Sequence, residues 1–160
     1  MRAERLSIRG LGMTAALTAL VSASSSPAGA QQLELSVTPM AITLPRADPD
    51  AVPVLSSSPV QVSYRIRGNG TRPWLLTVLA GGDLISSTSS VDISNVRWIA
   101  SPAPPFQNGT LHRTVEQAVA SGVGNVNPAA QGTITFQLAN SWSYEAGLYT
   151  QTLVFTLTSP

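Results

Sequence analysis

Alternation of apolar and polar residues is the clearest feature of the chain. In residues 60–67 every second residue is apolar, namely Val60, Val62, Tyr64 and Ile66. Strict alternation of this kind indicates a β-strand with one buried face. Related patterns predict strands over residues 33–38, 74–79, 92–99, 133–139 and 149–158. The Gly-Asn-Gly-Thr segment 68–71 is typical of a turn and predicts that 60–67 and 74–79 form a hairpin.

Short strands separated by turn residues predict an all-β fold. We expect an immunoglobulin-like antiparallel β-sandwich of roughly seven to nine strands. Residues 45–59 and 100–109 are rich in Pro and predict long loops, and 115–119 fits a short strand or one helical turn. Before the last strand, Glu145, Gly147 and Tyr149 resemble a tyrosine corner, in which the Tyr hydroxyl bonds a nearby backbone group. An ordinary turn with a core Tyr is the alternative.

The first thirty residues have the pattern of a cleavable signal peptide. Three arginines precede an uncharged apolar run over 11–23, and Ala28 and Ala30 supply the small residues of a cleavage site. The run is shorter than the ~20 residues of a membrane span, so no stable span is expected after cleavage. We therefore predict a signal peptide over 1–30 and a single domain over 31–160 that begins at Gln31. The protein is expected outside the cytoplasm, either extracellular, at the cell surface or in the periplasm.

Composition excludes several classes of function. The chain has no cysteine, which excludes disulfides, Cys metal sites and a lipidated N-terminus. Beyond residue 30 it has six Arg and seven Asp or Glu, a formal net charge of −1. A nucleic-acid partner is not expected from this balance.

The sequence contains no recognisable catalytic apparatus. His112 is the only histidine, and no Gly-x-Ser-x-Gly motif accompanies it. The scattered acids Asp83, Asp92, Glu116 and Glu145 do not define a glycosidase pair by their spacing alone. Asp48 and Asp50 fit either a cation-binding loop or, more simply, a solvated turn. We expect no catalytic residues, no cofactor and no metal, and a hydrolase is the least favoured function.

Two further groups of residues have a structural and a functional interpretation. Asn69 and Asn108 each begin an Asn-Gly-Thr sequence, which suits N-glycosylation or, as we favour, an Asn-Gly turn. Trp142 and Tyr144 precede the last turn, where they either pack or stack on a glycan.

Two segments together resemble the WxL domain of bacterial cell-surface proteins. The motif positions are an early Trp-x-Leu and a closing Tyr-x-x-x-Leu-x-Phe-x-Leu, at Trp74, Leu76, Tyr149, Leu153, Phe155 and Leu157. Phe155 stands where that family has its second Trp, Val154 replaces a Thr, and the final Pro comes one position early. The resemblance implies a β-sandwich attached non-covalently to peptidoglycan. In a buried strand the motif residues would be structural.

The ending Ala-Gly-Leu-Tyr-Thr before a Thr-rich strand also resembles fimbrial and spore-coat-like subunits. The first hypothesis, which follows from the WxL-like resemblance, is a secreted, non-enzymatic β-sandwich that binds cell-wall glycan or surface proteins. The alternative is a structural subunit of a surface filament, fimbria or coat that assembles by strand addition. In that alternative, residues 45–59 or those just after cleavage would be the donated strand.

Overall fold

The computed structural model describes residues 12–19, 31–45, 47–145 and 147–160. Within them the chain forms thirteen strands and one 3₁₀ turn, Ile93–Asn95. The strands are β1 (Gly12–Ala19), β2 (Gln32–Thr38), β3 (Ala41–Leu44), β4 (Val54–Ser56), β5 (Val60–Arg67), β6 (Pro73–Ala80), β7 (Leu84–Ile85), β8 (Ser90–Val91), β9 (Val96–Ser101), β10 (Gly109–Thr110), β11 (Gln117–Val123), β12 (Val126–Ala139) and β13 (Leu148–Thr158).

The strands form two sheets that pack face to face. Sheet A has the order β11-β6-β13-β1-β3, with β7 on β13 and β8 on β7. Sheet B has the order β10-β9-β12-β5-β2, with β4 on β12. The predicted all-β sandwich is confirmed. Thirteen strands exceed the expected seven to nine because four of them, β4, β7, β8 and β10, have three residues or fewer.

Alternating residues of both sheets fill the space between them. The largest fully buried side chains are aromatic, namely Trp98, Tyr64, Tyr149, Phe106, Phe136 and Phe155. Tyr64 of sheet B lies 5.0 Å from Trp74 of sheet A and 5.7 Å from Phe106, measured between ring centroids. Gly122 and Gly132 lie directly against the rings of Trp74 and Phe106, where a Cβ atom would overlap the ring. Small residues on β11 and β12 thus make room for the aromatic core.

The predicted hairpin of residues 60–67 and 74–79 is wrong. β5 pairs with β2 and β12 in sheet B, whereas β6 pairs with β11 and β13 in sheet A. The intervening turn carries the chain across the sandwich, with positive φ at Gly68 and Gly70. Alternation shows which face of a strand is buried, but two strands on opposite sheets show the same alternation as two neighbours.

The buried side chain of Asn69 holds this crossing in place. Its amide donates to the carbonyls of Arg72 and Gly124, and its oxygen accepts from Gln31 Nε2 at 2.7 Å. Asn69 is 1 % exposed. A side chain so enclosed has no room for a glycan, and the turn interpretation accounts for it.

The predicted loop 45–59 contains a short pairing segment, β4, which pairs with the end of β12. The Pro and Ser residues around β4 hid a strand whose pairing is decided by a distant partner. Of the two alternatives for residues 115–119, the structure has the strand, because β11 begins at Gln117 and pairs with β6.

Candidate functional site

All six residues of the WxL-like motif belong to the interior of sheet A. Trp74 and Leu76 lie on β6, and the other four lie on the adjacent β13. Leu76 stands opposite Leu157 in the antiparallel register. Each of the six side chains is at most 5 % exposed. The two motif segments therefore pack together, and their side chains stabilise the sandwich.

Tyr149 is fixed at the start of β13. Its hydroxyl donates a hydrogen bond of 3.2 Å to the backbone carbonyl of Glu145. This is the contact that a tyrosine corner makes with the chain a few residues upstream. The carboxylate of Glu145 takes no part in it, and Gly147 lies against Ser86 of the neighbouring loop. The contact orients the first turn of chain that enters β13.

The candidate catalytic residues occupy separate structural positions. Exposed His112 accepts hydrogen bonds at Nδ1 from the backbone of Thr114 and Val115. Asp83 pairs with Arg113 at 2.7 Å, and Glu116 accepts from buried Thr77 at 2.9 Å. Asp92 caps the 3₁₀ turn, and its bonds with Ser94 hold the pKa of that carboxyl below its usual range. In the described part of the chain, no three His, Cys, Asp or Glu residues are grouped to hold a metal ion.

Asp48 and Asp50 form a turn beside an exposed tryptophan. Asp48 Oδ1 accepts from the backbone nitrogen of Asp50 at 2.9 Å. Asp50 Oδ1 accepts from Trp142 Nε1 at 3.2 Å, so that the indole, 55 % exposed, is tethered to this loop. Tyr144 lies nearby in sequence and is half-buried, which raises the pKa of its hydroxyl. Asp48 and Asp50 thus stabilise the turn and its contact with Trp142.

The strand β13 depends on β1 for one of its two edges. On one side it pairs antiparallel with β6 and with Ile85 of β7. On the other side it pairs parallel with β1 over eight residues, from Leu148 to Phe155. The strand β1 is the middle of the apolar run of the predicted signal peptide. The cleavage residues Ala28 and Ala30 lie outside the described residues, whereas Gln31 lies directly before β2.

The strand β3 reaches sheet A only through β1. It pairs antiparallel with β1 over four residues, from Met13 opposite Leu44 to Ala16 opposite Ala41. Among the described strands, β3 has no other partner in the sheet. We call the gap between β13 and β3, which β1 occupies, the strand slot. Removal of residues 1–30 would leave both of its backbone edges without a partner.

The described walls of the slot carry no charge, and their core face is apolar. Tyr149, Leu153, Phe155 and Leu44 are buried, and they stand in register with Met13, Leu17 and Ala19 of β1. Directly opposed residues share a face of a sheet, so these register positions belong to the core face. No Asp, Glu, Lys or Arg occurs in β1, β3 or β13. A strand in the slot therefore meets two backbone edges and an uncharged core face.

The side chain of Gln151 makes two hydrogen bonds at β13. Its Nε2 donates to the carbonyl of Asp83 at 2.6 Å, and its Oε1 accepts from the backbone nitrogen of Thr152. The side chain thus bridges β13 to the connection between β6 and β7. These bonds do not involve β1.

The two segments expected to act as donated strands are partly paired within the chain. The residues just after the predicted cleavage site form β2, an edge strand that pairs with β5 over seven residues. Residues 45–59 contain β4, which pairs with β12 over three residues. Donation of either segment to another subunit stays a prediction.

Sequence reasoning missed the slot because residues 1–30 were interpreted only as a signal peptide. Ala15, Ala16 and Leu17 are consecutive apolar residues, so this segment lacks the strict alternation that predicts a half-buried strand. The described residues include no helix long and apolar enough to cross a membrane. No protein-family model matches this chain, and neither does any curated protein.

Proposed function

We propose that the protein is an exported, non-enzymatic subunit of a surface assembly, and that a strand from another polypeptide completes its sheet A. One observation carries the proposal. The inner edges of β13 and β3 are covered by residues 12–19, which belong to the segment that a signal peptidase would remove. An exported domain with this slot vacant has an unpaired sheet edge in its core layer.

Addition of a strand to the empty slot is favourable enough in free energy to give a stable contact. Unpaired backbone groups at a sheet edge are templates for another strand. Each hydrogen bond that an added strand forms contributes about 1 kcal/mol net. Burial of apolar surface adds about 25 cal/mol per Å². A strand of eight residues that pairs with β13 along its length and with β3 over four residues therefore gains several kcal/mol, which suits a stable structural contact.

The chemistry of the slot defines the occupant. It is an extended, uncharged and mostly apolar segment, as β1 itself is. The partner is a different polypeptide, because the long strands of the described mature domain are committed to their own sheets. Attachment to peptidoglycan through the WxL-like residues is less well supported, since all six side chains are buried. Association with the cell wall by another surface stays a prediction.

Site-specific crosslinking of the exported protein tests the proposal. The chain has no cysteine, so a single Thr152→Cys variant can be labelled with a benzophenone-maleimide at an exposed position beside the slot. Ile99→Cys, on the outer face of sheet B, is the matched control. We expect irradiation of cells that make the protein to join Thr152→Cys, but not Ile99→Cys, to an uncharged, mostly apolar segment of another polypeptide. Crosslinks confined to the chain itself would overturn the proposal.

A further inference from the structure

The occupant of the slot in the full chain is the chain's own leader. β1 runs parallel to β13 from Gly12 opposite Leu148 to Ala19 opposite Phe155. At its first residues it also pairs with β3, so that it is bonded on both edges. β2 of the facing sheet lies close to both β1 and β13. The leader segment is thus placed as an internal strand of sheet A.

We propose that the leader closes the strand slot of its own domain before cleavage, so that its removal, rather than folding, makes the domain able to accept a partner strand. This inference rests on the proposed function, and it adds a control on when assembly begins. In the precursor the leader fills the slot, so the precursor does not assemble. In the cleaved domain the slot is open, so the domain can accept a partner strand and assemble.

The covalent link gives the leader its advantage over competing strands. Residues 20–31 join the end of β1 to the start of β2. A segment tethered by a short linker acts at an effective concentration on the order of mM. For a leader segment that itself binds the slot with µM affinity, a free strand therefore binds the precursor roughly 10²- to 10³-fold more weakly than it binds the cleaved domain. Cleavage abolishes this competition in one irreversible step.

The register places some leader positions opposite buried residues of β13 and others opposite exposed ones. Leu17 stands opposite Leu153, which is buried, whereas Ala16 stands opposite Thr152, which is exposed. The two positions are adjacent on the same strand but belong to opposite faces. An aspartate on the buried face carries the cost of an unpaired charge, and one on the outer face stays in water. Leu17→Asp and Ala16→Asp are therefore a matched pair.

Peptide binding to the full chain and to the exported chain tests the inference. The probe is a fluorescent peptide with the sequence of residues 12–19, and its affinity is measured by anisotropy. Hydrogen exchange of the amides of residues 148–155 reports whether β13 is paired. We expect the exported chain to bind the peptide and the uncleaved full chain to bind it at least 100-fold more weakly, with slow amide exchange. Leu17→Asp in the full chain restores binding, and Ala16→Asp does not.

The outcomes separate this inference from the proposed function. Equal, tight binding to the full and exported chains overturns closure by the leader and leaves strand addition standing. No binding to either chain, with amides of 148–155 exchanging at the same rate in both, overturns strand addition itself. Equal effects of Leu17→Asp and Ala16→Asp contradict the register on which the inference depends.

Discussion

Two buried tyrosines offer the same substitution with opposite expected results. Tyr149 and Tyr64 are both at most 1 % exposed. The hydroxyl of Tyr149 donates to the carbonyl of Glu145, whereas the hydroxyl of Tyr64 has no hydrogen-bond partner among the described residues. Replacement by phenylalanine removes the hydroxyl and keeps the ring. The pair therefore isolates what a satisfied and an unsatisfied hydroxyl contribute.

The expected change in the free energy of unfolding depends on whether each hydroxyl is hydrogen-bonded. Tyr149→Phe loses one hydrogen bond and leaves the Glu145 carbonyl without that donor, which costs about 1 kcal/mol. Tyr64→Phe removes a buried polar atom whose desolvation is uncompensated, so the free energy of unfolding stays the same or rises by about 1 kcal/mol. In a domain of this size, about 1 kcal/mol shifts the melting temperature by roughly 3–5 °C.

Urea unfolding of the full chain, followed by tryptophan fluorescence, measures both changes. Equal m-values for the variants and the parent would show that only stability has changed. Hydrogen exchange should place the loss in Tyr149→Phe at the first residues of β13, next to the slot. The reasoning is refuted if Tyr64→Phe destabilises the protein as much as Tyr149→Phe, because the Tyr64 hydroxyl would then have a partner.

Three further results are expected. Burial raises the pKa of Tyr64 to about 12, so the folded state keeps a proton that the unfolded chain releases near pH 10. The free energy of unfolding should therefore fall between pH 10 and 12. Tyr64→Phe should weaken that fall when stability is measured as a function of pH. Gly132→Ala places a methyl group against the Phe106 ring and should cost about 1–3 kcal/mol by urea unfolding, and a cost below 0.5 kcal/mol would show that the ring moves aside freely. Binding of the residue 12–19 peptide to the exported chain should change less than twofold between 50 and 500 mM NaCl, because the slot is uncharged, and a strong salt dependence would indicate another site.

The fold class could be predicted because it depends on local patterns. The alternation in residues 60–67 and 133–139 identified β5 and the buried half of β12, and their inward faces are the ones expected. The partners of β5 and β6 could not be predicted, since their separation into two sheets is decided by contacts with β12 and β13, far along the chain. Tyr64 and Trp74 lie on the two strands that were expected to pair in a hairpin, and they instead meet across the interior of the sandwich.

The strand slot could not be predicted either, because it depends on the pairing of residues 12–19 with a strand far along the chain. An export signal requires only a basic start, an apolar stretch and small residues at the cleavage site. It does not require that Met13, Leu17 and Ala19 fall in step with buried residues of the last strand. Residues 12–19 are uncharged and mostly apolar, and Met13, Leu17 and Ala19 stand opposite buried residues of β13. Under the proposed function, this segment would belong to an export leader and, until cleavage, would also fill the place that a partner strand takes afterwards.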